Sequence, residues 1–252
     1  MKRISFFIYG VISYSVGVFA LLYLIAFLGD LVVPKTIDGT PQIPTWQAML
    51  VNLSLVLLFG VQHSVMARPA FKKKWTQVIS PVIERSTYVL FTFLALITLF
   101  YFWQPLGGEV WNVSSNHMLY YILYGMFFLG WVILFLATFL INHFDLFGLR
   151  QVYLNLIGKE YTSLVFKERG FYKSVRHPIY SGLLFGMWCT PHMTISHLFL
   201  AGLFTAYIFY AITLEEHDLI QEWGEKYQAY KSRTGGVFPR LFKKSKVMPK
   251  DA

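Results

Sequence analysis

The sequence predicts an all-α integral membrane protein of five to six hydrophobic arms: four spans and a C-terminal helical hairpin, closed by a polar cap on the cytoplasmic side. Three observations carry that reading. Of 252 residues 56% are hydrophobic and only 14% are charged, against about 25% charged in an ordinary soluble domain. Five stretches contain no Asp, Glu, Lys or Arg. If six arms alternate from a cytoplasmic N-terminus, 21 of the 22 Lys and Arg residues fall on the cytoplasmic side, and Lys35 alone lies outside.

The arms follow in order. Residues 4–29, 46–67, 86–108 and 110–142 are uncharged runs of 26, 22, 23 and 33 residues. Each exceeds the roughly 20 residues that cross about 30 Å of hydrocarbon, so each reads as one helix. The first is about twice the length of a signal-peptide core and lacks a small-x-small cleavage site, so it reads as a span. Residues 177–214 form a run of 38, too long for one crossing, with Pro191 near the middle among Thr190, His192, Thr194, Ser196 and His197. Proline cannot donate to a helical ladder and disfavours helix just before it. A reversal near residues 190–197 is expected, with arms of roughly 16 to 18 residues, about 25 Å each.

Residues 1–142 are thus a four-span region, and residues 143–252 a loop, a hairpin and a C-terminal helix. The loop and the tail hold 34 and 38 residues and should meet as the cap. Leu219, Trp223, Tyr227 and Tyr230 give the C-terminal helix an aromatic face, which packs on the cap or lies on lipid. Beyond it the Lys243, Lys244 and Lys246 segment is expected to be disordered or surface-bound. The basic residues flank apolar spans, so the net charge of +9 points to anionic lipid rather than nucleic acid. Lone Cys189 excludes an internal disulfide. The seven histidines are scattered, no metal is expected, and neither a Gly-x-Ser-x-Gly elbow nor a Gly-x-Gly-x-x-Gly loop is present.

Polar groups that bracket the hairpin carry the chemistry. Arg176 and His177 precede it, Pro178 suits a first helical turn, Tyr180 follows, and Glu215 and Glu216 close the far end. Free N–H groups at a helix start favour a carboxylate, and acids at a helix C-terminal end oppose the macrodipole and call for a cation or hydroxyl pair. A zwitterion with a cationic centre and ribose hydroxyls satisfies both. Taken singly, Arg176 and His177 are also explained as residues that reach headgroups and pair with the acids. His63, beside Gln62 at the end of the second span, is either a hydrogen-bonded interface residue or part of a site. His143 and Asp145 either cap the turn after the fourth span or face the same mouth as His177.

The pattern Gly170-Phe171-Tyr172, Arg176-His177-Pro178, Tyr180, Gly182, Glu215-Glu216, Trp223-Gly224, Tyr227, Tyr230 resembles the cofactor region of the isoprenylcysteine carboxyl methyltransferase and phospholipid methyltransferase superfamily. Gln62 to Pro69, Glu84-Arg85-Ser86 with Tyr88, Trp103-Gln104-Pro105, and Asn142 to Gly148 resemble its nurim-like branch, and within it the bacterial small-thiol S-methyltransferases. The resemblance implies S-adenosylmethionine as methyl donor, a small volatile thiol such as methanethiol as acceptor and dimethyl sulfide as product. It also implies cofactor contacts from Gly170, Tyr172, His177, Tyr180, Glu215 and Glu216. Because the thiolate is the nucleophile, a base or a cationic neighbour is expected: Asp145 with His143, Arg150 or Arg176, and His63. The alternatives are a lipid or prenyl-cysteine methyltransferase, a non-enzymatic nurim-like protein, and a transporter.

Overall fold

A computed structural model describes residues 1–240, so the expected tail beyond them lies outside the described residues. Among the described residues five helices are long and apolar enough to cross a membrane: α1 (Lys2–Leu28), α2 (Thr45–Ala67), α4 (Pro81–Phe102), α5 (His117–Ile141) and α9 (Ile195–Trp223). The protein is an all-α membrane fold. Local chemistry sets the helix starts: Pro81 occupies the first turn of α4, where Ser80 Oγ accepts from the Val82 N–H, and Asn116 accepts from the Leu119 N–H to begin α5. Short helices α3 (Pro69–Trp75), α6 (His143–Leu146) and α7 (Leu149–Leu156) join the spans on one face.

The hairpin reverses at residues 189–194, as the proline predicts, but its arms are unequal. Helix α8 (Pro178–Trp188) has 11 residues, about 16 Å and half the hydrocarbon thickness. Helix α9 has 29. Two local features explain the departure from the expected 16 to 18 residues each. After α8 the chain enters strand β2 (His192–Thr194), which pairs antiparallel with β1 (Glu109–Asn112) and occupies backbone groups that a longer α8 would need. Thr194 then caps α9 by accepting from the His197 N–H, and nothing interrupts that helix before Gly224, whose φ of +53° ends it. Glu215 and Glu216 therefore lie about two turns inside a continuous helix, which overturns the expectation that they oppose a helix terminus.

Helix α8 is held against α5 by backbone-to-backbone contact. A Cβ built on Gly182 would fall 2.4 Å from Gly130 O, and one on Gly130 would fall 2.6 Å from Gly182 O. Gly182 and Gly186 are four apart, the spacing by which small residues let membrane helices approach closely. The core runs through both halves of the chain, from Phe27, Phe93 and Phe100 to Phe127, Leu184 and Phe204.

Two faces result. On one, Lys35 Nζ donates to Tyr101 O (2.6 Å), Trp103 Nε1 to Ile37 O (3.1 Å), and Thr194 pairs with Asp38. On the other, Tyr230 Oη donates to Tyr172 O (2.7 Å), Val175 bridges Gly235, and Arg233 pairs with Glu168, so loop and C-terminal segment close as a cap. The aromatic face expected from Trp223, Tyr227 and Tyr230 is divided between α9 and α10 (Glu225–Arg233) and surrounds Phe166, with ring centroids at 5.9, 6.0 and 5.2 Å. Tyr227 and Tyr230 are buried, so that face packs on the cap.

Candidate active site

Three segments distant in sequence meet beneath the cap. Residue Arg176 is held by its own backbone, its N–H donating to Gly235 O (2.9 Å). Its Nε donates to Glu216 Oε1 (2.7 Å) and its Nη1 to Thr234 O (2.6 Å). His177 Nε2 lies 3.1 Å from the same Glu216 oxygen, and Lys231 Nζ lies 2.6 Å from Oε2. Three cationic partners thus lock Glu216, whose side chain is 7% exposed. Glu215 is different: among the described residues only His177 Nδ1 approaches it as a charged partner, at 3.6 Å, and 43% of its side chain is accessible. One acid organises the site and the other keeps an accessible face.

Burial alone would lower the pKa of His177, but hydrogen bonds to Glu215 and Glu216 outweigh it and raise the pKa above the usual histidine value. The Tyr180 ring stacks on the His177 ring at 5.6 Å. Gly170 opens a 3-10 turn at φ +50°, and a Cβ there would meet Leu140 Cδ1 at 2.8 Å. Tyr172, in the same turn, directs its hydroxyl at Ala137 O (3.4 Å). Every residue of the expected cofactor set therefore stands in this cap or at its edge.

A second wall, of polar side chains, comes from α2, α4 and α9. Tyr88 Oη lies 3.0 Å from both ring nitrogens of His63, Thr92 Oγ1 lies 3.2 Å from Nδ1, and Phe59 stacks on the ring at 5.4 Å. Tyr207 Oη is 3.0 Å from Ser64 Oγ, and Arg68 Nη1 donates to Asp218 Oδ2 (2.8 Å).

The remaining candidates form a separate cluster. His143 is buried with both ring nitrogens engaged, Nε2 with Tyr14 Oη (3.0 Å) and Nδ1 with Thr138 Oγ1 (2.8 Å), and burial holds its pKa below the usual value. Asp145 accepts from Arg150 Nη1 (2.8 Å), and Arg150 also donates to Thr162 O (2.9 Å). Asp145 lines a cavity of about 820 Å³ on the cap face. Gly148, at φ +81°, lets α7 approach Ser86 so closely that a Cβ would fall 2.6 Å from its N. Arg85 links the clusters: its Nε donates to Leu146 O (2.8 Å) while its guanidinium lies 4.9 Å over the Tyr88 ring.

Tyr88, Tyr207, Arg68 and Lys231 were not among the candidates read from sequence. Tyr88 stood inside a quoted motif, but a tyrosine in an apolar run has the same signature as a lipid-facing one. Chemically, the arrangement offers a carboxylate and aromatic faces for a cation, acceptors for hydroxyls, and a histidine facing them.

Comparison with known proteins decides the family. The chain is 46% identical over 245 residues, 97% of its length and 96% of the relative's, to a methanethiol S-methyltransferase of Crocosphaera subtropica. It belongs to the methanethiol S-methyltransferase family. Methanethiol S-methyltransferase 1 of Bradyrhizobium diazoefficiens is 49% identical over 233 residues, 92% of this chain and 81% of the relative. Nurim of Xenopus laevis is 34% identical over 176 residues, 67% of this chain and 61% of that protein. No family model and no solved structure matches. The chain is thus a membrane methyltransferase, with a methyl donor implied by that class.

Proposed function

We propose that the chain methylates methanethiol, or a small thiol of the same class, with S-adenosylmethionine as donor, and releases dimethyl sulfide. The observation that carries this reading is the division of labour between the paired acids: Glu216 is fixed by Arg176, His177 and Lys231, while Glu215 stays accessible.

The residues fit such a cofactor. A sulfonium is favoured beside a carboxylate and aromatic faces, which Glu215 and Tyr180 supply, and a ribose diol needs acceptors of the kind Glu215 offers. The Tyr227 hydroxyl is buried and without a partner among the described residues. When bound, the cofactor supplies an electrophilic methyl on a sulfur that leaves as a neutral thioether. The protein's part is then to place the thiol in line at about 3 to 3.5 Å, to exclude water and to accept the thiol proton. We assign the proton to His63, which is oriented by Tyr88 and Thr92. Asp145 is the second reading, favoured by its place on the large cavity, with Arg150 or Arg176 as electrostatic partners. Of these, Arg176 is committed to Glu216 and Thr234.

Both termini are placed on the cytoplasmic side, and in a bacterium the protein sits in the inner membrane. The asymmetry of Lys and Arg supports this orientation, as does the closing of the N-terminal Arg3, the loop and the C-terminal segment on one face. Incubation of the purified protein with methyl-labelled S-adenosylmethionine and a panel of thiols, phospholipids and prenyl-cysteines tests the reading. Label in volatile thioethers alone is expected. Label in lipid or prenyl-cysteine, with none in thioethers, would reject the small-thiol acceptor.

A further inference from the structure

The cavity of about 820 Å³ lies outside the bracket, between the starts of α1 and α4, the short helices α3 and α7, and residues 158–161. Four cations line it: Arg3, Lys72, Arg85 and Lys159. None of the four makes a salt bridge among the described residues. Arg85 packs over Tyr88 and, among the described residues, donates only through Nε, toward Leu146 O, so its two terminal nitrogens keep their donors. Asp145 is already paired with Arg150, so the cations outnumber the unpaired acids, Glu84 and Glu160, by four to two. Burial and the neighbouring Arg85 hold Lys72 below its ordinary pKa.

A second observation narrows the ligand. Two buried acceptors on the wall residues, Gln151 Oε1 and Asn155 Oδ1, have no hydrogen-bond partner among the described residues. Buried polar atoms are normally satisfied, so the occupant brings donors as well as an anion. Position narrows it further. Lys72 sits in the basic helix Pro69–Trp75 beside a span, and Ile4 and Ile157, next in sequence to the lining residues Arg3 and Gly158, are exposed apolar side chains. That is the level of lipid headgroups, where basic residues meet anionic lipid.

We propose that this cavity binds the headgroup of an anionic phospholipid whose phosphate meets Arg85 and Lys72 and whose hydroxyls donate to Gln151 and Asn155, a phosphoglycerol headgroup in chemical class. The site stands apart from the cofactor bracket; the inference rests on His63 rather than Asp145 as the base, and not on which thiol is methylated.

Native mass spectrometry of the full chain in detergent tests it, with dioctanoyl phosphatidylglycerol, dioctanoyl phosphatidylcholine, glycerol 3-phosphate and S-adenosylmethionine as probes. Phosphatidylglycerol should be retained in preference to phosphatidylcholine. Lys72→Gln and Lys159→Gln should each weaken that retention about fivefold, and together about twenty-fivefold, at about one surface cation's worth each. An unchanged thermal midpoint shows that these variants fold. Equal retention of phosphatidylcholine, or full retention by the double variant, would overturn the site. Glycerol 3-phosphate binding as tightly as the lipid, or displacement of the lipid by S-adenosylmethionine, would overturn its assignment to a lipid.

Discussion

At the scale of single residues, adjacent identical side chains acquire opposite roles from their neighbours. Glu216 meets Arg176, His177 and Lys231, and Glu215 meets one histidine edge. The sequence shows the pair and its distance from His177, but not which acid is free, because Lys231 and Thr234 reach the site only through the fold of the tail. The base is the other residue-scale question. If His63 accepts the thiol proton, His63→Ala should lower turnover by about 10²- to 10⁴-fold with cofactor affinity nearly intact, since the interaction matters mainly in the transition state. Raising the pH toward the ordinary thiol pKa of about 8.5 should restore part of the loss, because solvent then supplies thiolate. Asp145→Ala should change turnover much less. A strong loss in the Asp145 variant beside a near-normal His63 variant would move the base to the cavity side.

At the scale of elements, the spans were legible and the hairpin only partly so. Apolar runs with charged flanks locate α1, α2, α4 and α5 because membrane crossing sets a minimum length and forbids charge. The run from 177 to 214 announces a reversal at Pro191 but not its asymmetry, which depends on pairing between β1 and β2 from segments about 80 residues apart and on the close seat of α8 against α5. That seat has a sequence signal, Gly182 and Gly186, which becomes meaningful only with Gly130 opposite. It also positions chemistry, because His177 and Tyr180 are carried by the same short helix. Gly182→Val should force α8 away from α5. Overpacking of this kind typically costs about 1 to 3 kcal/mol, so a lower thermal midpoint and weaker cofactor binding are expected together. A variant that loses stability while binding cofactor normally would show that the helix seat does not set the site.

At the scale of the whole molecule, the chain is a membrane scaffold whose cap joins residues 143–176 to residues 224–237 on one face of the helices. Reporter fusions should find residues 35, 110 and 194 outside and residues 75 and 160 inside. Residues 75 and 160 on opposite faces would dismantle the cap, since Lys72 and Gly158 line one cavity. The central claim is that three distant segments close on a single cofactor site with Glu215 as its ligand-facing acid. Calorimetric affinity for S-adenosylmethionine, measured on the wild type and on Glu215→Gln, His177→Ala and Tyr180→Ala, tests that claim most directly. Loss of a charged or hydrogen-bonded contact is expected to weaken binding about 10- to 150-fold in each variant while each remains folded in detergent. Affinities equal to wild type in all three would contradict it.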